Sequence, residues 1–252
     1  MGASMTKTDS LNVKIFADGA NLDGIRGLVR NPLIKGFTTN PTLMRKAGII
    51  DYAAFAKDML EVIGDAPVSF EVFADEFDEM EAQALEIASW GDNVYVKIPI
   101  TNTKGESSMP LVGRLSAQKV QVNVTAMMTL DQVRHMVEAL HAETPAVVSV
   151  FAGRIADTGL DPVPLMREAV GILESRPKAE LLWASPRELL NIFHADEVGC
   201  HIITVTHDLL DKLKGVSKDL DQFSLETVQM FYDDASAAGY TIATDTKASA
   251  TG

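Results

Sequence analysis

Eight short apolar runs, most of them rich in β-branched residues, recur along the chain: Val13–Ala17, Gly36–Thr38, Val68–Val72, Val94–Ile98, Val120–Val124, Ala146–Phe151, Glu180–Ala184 and His201–Val205. They stand roughly 20 to 35 residues apart, the strand-then-helix cadence of parallel-sheet proteins. Between them, Asp51–Ile63, Glu76–Ser89, Thr129–His141, Pro162–Glu174 and Pro186–Phe193 place apolar residues near i, i+3, i+4 and i+7, as helices do. Helix-start chemistry agrees: Thr129 with Asp131 behind it, and prolines after Asp161 and Ser185. Asp208–Leu213 reads as a closing helix, and Ser224–Ala238, within about 222–238, as an added C-terminal helix. Eight such units in 252 residues predict one α/β domain, a (β/α)8 TIM barrel with an additional C-terminal helix. Its core spans about 12–215, and the polar, small-residue ends Met1–Leu11 and Asp245–Gly252 are expected to fray. An open doubly wound sheet is the competing architecture, but no Gly-rich dinucleotide or P-loop fingerprint follows any strand.

A net charge of −13 and a pI near 4.8 argue against a nucleic-acid partner, since phosphate backbones are bound by clustered Lys and Arg. The expected ligand is a small molecule held at a local positive site. The single cysteine, Cys200, excludes an intrachain disulfide framework and a multi-cysteine zinc site. Its place before His201-Ile202-Ile203 reads as a buried, inert thiol. His135, His141, His194, His201 and His207 show no metal-ligand spacing, so no metal is expected. No run of about 18 apolar residues and no basic-then-apolar leader is present, which predicts a cytoplasmic protein without a membrane partner. Met1–Thr6 formally fits a myristoylation pattern, a match too short to carry weight.

Lys97 stands inside the run Val94-Tyr95-Val96-Lys97-Ile98-Pro99-Ile100, where an ammonium is costly to desolvate. Burial disfavours the charged form, so such a lysine becomes the neutral amine that attacks a carbonyl carbon. The alternative is a lysine at a strand end that snorkels to water, and Lys14, in Val13-Lys14-Ile15-Phe16, has the same local look.

In a barrel the chemistry gathers at the C-terminal ends of the strands, and polar residues fall there in this chain. Strand one ends at Asp18, two at Thr38-Thr39-Asn40-Pro41 and three at Glu71; four carries Lys97, and five brings Asn123 and Thr125. Strand six brings Ser149 and then Arg154, and strand seven Ser185 and Arg187. Asp18 could instead cap a helix over Asn21–Leu28, and Asn40 before Pro41 could be plain turn chemistry. Glu71, between Phe70 and Val72, requires a buried partner. Arg154 and Arg187 lie where barrels bind phosphate, with surface salt bridges as the alternative for each.

Taken together, Ala17-Asp18-Gly19, Gly36–Leu43, Ser69-Phe70-Glu71-Val72, Val96-Lys97-Ile98-Pro99, Val122-Asn123-Val124-Thr125, Ser149–Ile155 and Trp183–Arg187 resemble the transaldolase family, class I Schiff-base enzymes on an α/β barrel. The resemblance runs from about Ile15 to about Leu213. It implies that Lys97 forms an imine with a ketose, that Asp18 takes the proton of the C4 hydroxyl as the C3–C4 bond breaks, and that Glu71 and Thr125 hold the shuttling water. It implies further that Thr38, Asn40, Asn123 and Ser149 hydrogen-bond the dihydroxyacetone portion. Phe151 joins this substrate-binding set, and Arg154, Arg187 and Ser185 take the phosphate. The implied partners are phosphorylated ketose and aldose substrates; no cofactor is implied. A homo-oligomer also fits the resemblance, though no pattern in the sequence marks an interface.

The aldolase branch of the family resembles a pattern with Gln at position 71 and Tyr at 151; Glu71 and Phe151 therefore favour transfer over release of free dihydroxyacetone. The chain departs from the family at Gly19, where Thr or Ser is usual, at Ala152 for a common Val, and at Pro186-Arg187 for an aromatic-Arg pair. These departures keep open a non-standard anionic sugar as substrate, and a barrel that binds sugar phosphate without catalysis. The Lys104-Gly105 loop is either a substrate contact or solvated.

Overall fold

Eight parallel strands close into a barrel in sequence order: β1 (Lys14–Asp18), β2 (Ile34–Thr38), β3 (Val68–Glu71), β4 (Val94–Pro99), β5 (Val122–Met127), β6 (Ala146–Val150), β7 (Ala179–Trp183) and β8 (Ile202–Thr206). The structure is a computed structural model describing Thr8 and residues 10–243; the expectations placed on 1–7, 9 and 244–252 lie outside the described residues. The helices are α1 (Leu22–Leu28), α2 (Pro41–Lys46), α3 (Tyr52–Ile63), α4 (Phe77–Ala88), α5 (Met109–Ala117), α6 (Leu130–Ala139), α7 (Ala152–Ala156), α8 (Pro162–Leu173), α9 (Leu190–Glu197), α10 (His207–Asp211) and α11 (Leu220–Ala237). A 3-10 turn, Lys212–Gly215, follows α10. Among the described residues no helix is long and apolar enough to cross a membrane.

Side chains alternate along a strand, so each strand has one face toward the helices and one toward the barrel axis. The outer set (Ile15, Ala17, Phe37, Val68, Phe70, Val96, Ile98 and their counterparts) joins the inner faces of the helices in the main core. The complementary set forms a smaller apolar cluster of Phe16, Val147, Leu182, Ala184 and Ile202, against which Tyr95 and Phe151 pack. Gly36 makes room for it: a Cβ there would lie 2.5 Å from Cζ of Phe16. The polar residues follow the same parity two positions further on, which floors the site with packed hydrocarbon.

Several boundaries differ from the sequence expectation for identifiable reasons. Asn21, not Asp18, caps α1, its side chain accepting from the backbone N–H of Asp23 and Gly24. No helix begins at Pro186: Ser185 has φ +57°, Arg187 and Glu188 donate their backbone N–H to Asn191 Oδ1, and α9 starts only at Leu190. Strand five runs later than Val120–Val124, through a bulge after Val124 where Ala126 has φ +65°. The short helices α2 and α7, and α5, were not visible as periodic patterns. The C-terminal helix is present but buries none of its residues, leaving Phe223, Val228 and Phe231 exposed.

Candidate active site

The strand ends enclose a cavity of about 440 Å³ whose lining includes Asp18, Thr38, Asn40, Glu71, Lys97, Asn123, Thr125, Ser149, Phe151, Arg154, Ser185 and Arg187. Every residue named from the sequence as catalytic or substrate-binding is thus brought to one place. Lys97 is 9% exposed, so the snorkelling alternative does not hold for it. Its Nζ lies 3.1 Å from Oε2 of Glu71 and donates to the carbonyl of Thr39 at 3.2 Å. The pair is a product of register, since Glu71 and Lys97 are direct partners across β3 and β4. Lys14, by contrast, is exposed and pairs with Glu180.

Glu71 is fixed from behind by a residue the sequence reading missed. The hydroxyl of Tyr52, on α3, accepts from the backbone N–H of Glu71 at 2.7 Å and donates to its carbonyl at 3.1 Å. The Tyr52 ring is wedged among Phe70, Phe73 and Trp90, and burial pushes its phenol pKa upward.

Asp18 accepts from Thr38 Oγ1 at 2.8 Å and from Asn40 Nδ2 at 3.3 Å. Burial pushes its carboxyl above the ordinary range; the Lys97 charge, the Thr38 bond and His207 oppose that shift, and Glu71 adds to it. Asn40 does double duty, because its Oδ1 also caps α2 through the N–H of Leu43. Across the cavity Ser149 donates to Asn123 Oδ1 at 2.6 Å, and Asn123 Nδ2 donates to Ser69 Oγ at 2.9 Å. The hydroxyl of Thr125 is buried and has no partner among the described residues. It sits at the β5 bulge, which re-aims the side chain as bulges beside functional sites do.

The two arginines differ. Arg154 lies over the Phe151 ring, 5.9 Å from its centroid. Arg187 lines the cavity, yet its Nε donates to Asp157 Oδ1 at 2.9 Å and its terminal nitrogen to Oδ2, so its fork is already engaged. The backbone between them has no slack: a Cβ on Gly153 would lie 1.5 Å from the Ser185 carbonyl oxygen. Lys104 pairs with Glu76 outside the cavity lining. Cys200 is buried, and burial pushes its thiol up to about 12, which leaves it inert. Thr204 and Thr206 also line the cavity; following the alternation of β8 upward from Ile202 would have found them. Among the described residues no group of three or more His, Cys, Asp or Glu is placed to hold a metal.

The sequence pattern of the transaldolase/fructose-6-phosphate aldolase family matches residues 15–249. The chain belongs to this family. A "Probable transaldolase" from Streptococcus equi subsp. zooepidemicus is 34% identical over 202 residues, 80% of this chain and 90% of that protein. A "Probable transaldolase 2" from Listeria monocytogenes is 34% identical over 224 residues, 84% of this chain and 98% of that one. A solved structure from Burkholderia cenocepacia, 12% identical, superposes with a TM-score of 0.54 over 86% of this chain and 96% of its own, which bears on the fold alone.

Proposed function

We propose that this family member is a cytoplasmic class I transaldolase, passing a dihydroxyacetone unit from a phosphorylated or otherwise anionic ketose to an aldose. The observation that carries the reading is the enclosed Lys97 Nζ, 3.1 Å from Glu71, in the same cavity as Asp18. Glu71 is placed to take the proton that Lys97 sheds before its nitrogen attacks the C2 carbonyl. The carbinolamine then loses water, with Glu71 donating the proton and the unpartnered Thr125 hydroxyl positioning the departing molecule. Asp18, held by Thr38 and Asn40, removes the C4 hydroxyl proton. The C3–C4 bond breaks, its electron pair passes into the iminium as an enamine, and an aldehyde leaves. The acceptor aldehyde takes the place of the first, the steps reverse, and hydrolysis frees Lys97. Asn123 and Ser149 hold the retained hydroxyls, and Arg154, with Arg187 released from Asp157, takes the anionic end.

Incubation with fructose 6-phosphate or sedoheptulose 7-phosphate and borohydride, followed by peptide mapping, tests this. A reduced adduct on Lys97 is expected; an adduct on Lys14, or none with any ketose, defeats the reading. Glu71 and Phe151 favour transfer, and product analysis decides against it if free dihydroxyacetone forms equally fast with and without an aldehyde acceptor. The same reading carries a homo-oligomer, which the unburied apolar side chains of α11 support and light scattering tests.

A further inference from the structure

One imidazole beside the strand ends is not used by the mechanism above. His207 opens α10 directly after Thr206, and Thr206 pairs in register with Asp18 across β8 and β1. The ring occupies space left by two glycines. A Cβ on Gly19 would lie 3.0 Å from Nε2, and one on Gly24 would lie 2.6 Å from Cε1 and 2.9 Å from Nδ1. Nε2 is buried and has no hydrogen-bond partner among the described residues. A stranded buried nitrogen is costly, and such groups persist where function holds them. Position 19 is a glycine, and the ring stands where its side chain would be. A side chain at 19 and the ring at 207 contend for one place, so the glycine is what lets the ring stand beside Asp18.

We propose that His207 is a positioning residue for Asp18, filling the space that Gly19 leaves open and steadying the ionised carboxylate through a water held at Nε2. The proposal rests on the transaldolase reading. His207 is among the groups that favour the ionised form of Asp18. The ring also lines a second cavity of about 440 Å³ with Asn31 and Lys214, which gives it a path to solvent that avoids the substrate. The charged residues on the elements around it are Lys14 and Asp18 on β1, Asp23 and its partner Arg26 on α1, Asp208 and Asp211 on its own helix, and Lys212 and Lys214 on the turn beyond.

Titrating the carbon-13-labelled aspartate carboxyls by NMR, with Asp18→Asn to assign the signal, tests this without needing a substrate. His207→Gln should move the Asp18 midpoint to higher pH. In transfer from fructose 6-phosphate to erythrose 4-phosphate, kcat should fall about tenfold with KM unchanged. Gly19→Ser alone should crowd the ring and slow the enzyme, whereas Gly19→Ser with His207→Ala should recover much of the rate. An unmoved midpoint in His207→Gln, or in His207→Asn should the first variant not fold, overturns the proposal. Lys97 trapping separates the two failures: trapping intact with an unmoved midpoint removes only the role of His207, while no trapping in the unaltered protein removes the transfer reading and this one with it.

Discussion

Replacing Lys97 with methionine removes a charge whose partner has nowhere to go. At 3.1 Å and an effective dielectric of about 20, the Lys97–Glu71 attraction is about 5 kcal/mol. Desolvating both groups offsets most of that, so the intact pair contributes little net, while stranding one member costs about 3–5 kcal/mol. The side chains of Lys97 and Glu71 are only 11% and 15% exposed, and Tyr52 pins the Glu71 backbone, so water cannot fully replace the lost partner. Lys97→Met should therefore lose about 3 kcal/mol. Glu71→Gln should lose only about 1–2 kcal/mol, because an amide oxygen can still accept from the amine and the Thr39 bond is untouched. The double variant Lys97→Met/Glu71→Gln should be more stable than Lys97→Met alone by about 1 kcal/mol or more. Urea denaturation at pH 7 with matched m-values measures all four corners. A coupling energy below about 0.5 kcal/mol would refute the idea that the two charges neutralise each other in an enclosed site.

Three further outcomes follow from the same geometry. Because the folded-state pKa of Asp18 lies above its unfolded value, the stability this group lends is full below the unfolded pKa and lost as pH rises through the folded one. Asp18→Asn should thus raise the urea midpoint at pH 7 relative to the unaltered protein, with the gap closing toward about pH 3, while transfer is abolished; a gap that does not change with pH counts against the raised pKa. Tyr52→Phe strips both backbone partners from Glu71 and should cost about 1–2 kcal/mol in stability, with a drop in kcat of about tenfold and little change in KM; unchanged kinetics would mean that Glu71 does not depend on this clamp. Asp157→Asn loosens the fork of Arg187, so KM for a phosphorylated donor should fall about threefold or more; an unchanged KM would show that Arg187 does not reach the anionic group.

The barrel and the contents of its mouth were legible because both depend on alternation and on strand order. Asp18, Thr38, Glu71, Lys97, Asn123, Thr125 and Ser149 interrupt apolar runs near their ends, and closing the sheet brings them to one cavity. What was not legible depends on backbone geometry or on contacts between distant segments. The left-handed turn at Ser185 and the contact of Gly153 with its carbonyl leave no periodic trace, which is why a helix was expected at Pro186. Tyr52 belongs to an amphipathic helix whose pattern calls only for an apolar ring, and nothing local says that its hydroxyl grips Glu71 nineteen residues away. Likewise the engagement of Arg187 by Asp157 spans thirty residues, and no spacing rule connects them.

The contrast between Lys14 and Lys97 shows where sequence pattern stops deciding chemistry. Both interrupt β-branched runs, and both find a glutamate on another strand. Lys14 is the first residue of β1, with 46% of its side chain exposed, and its pair with Glu180 is an exposed bridge worth little. Lys97 lies two residues from the end of β4, above the apolar cluster of Phe16, Val147, Leu182 and Ile202 and below the loops that carry Arg154 and Arg187. Its surroundings are set by how high it stands in a tilted, staggered barrel, a property of the closed sheet rather than of any window of residues. A lysine becomes a candidate nucleophile here because the strand carries it past the hydrocarbon floor yet stops short of the solvent. One step of two residues along the strand, in either direction, would give Tyr95 or Pro99, a floor position or a rim position, and neither height would hold an amine against Glu71.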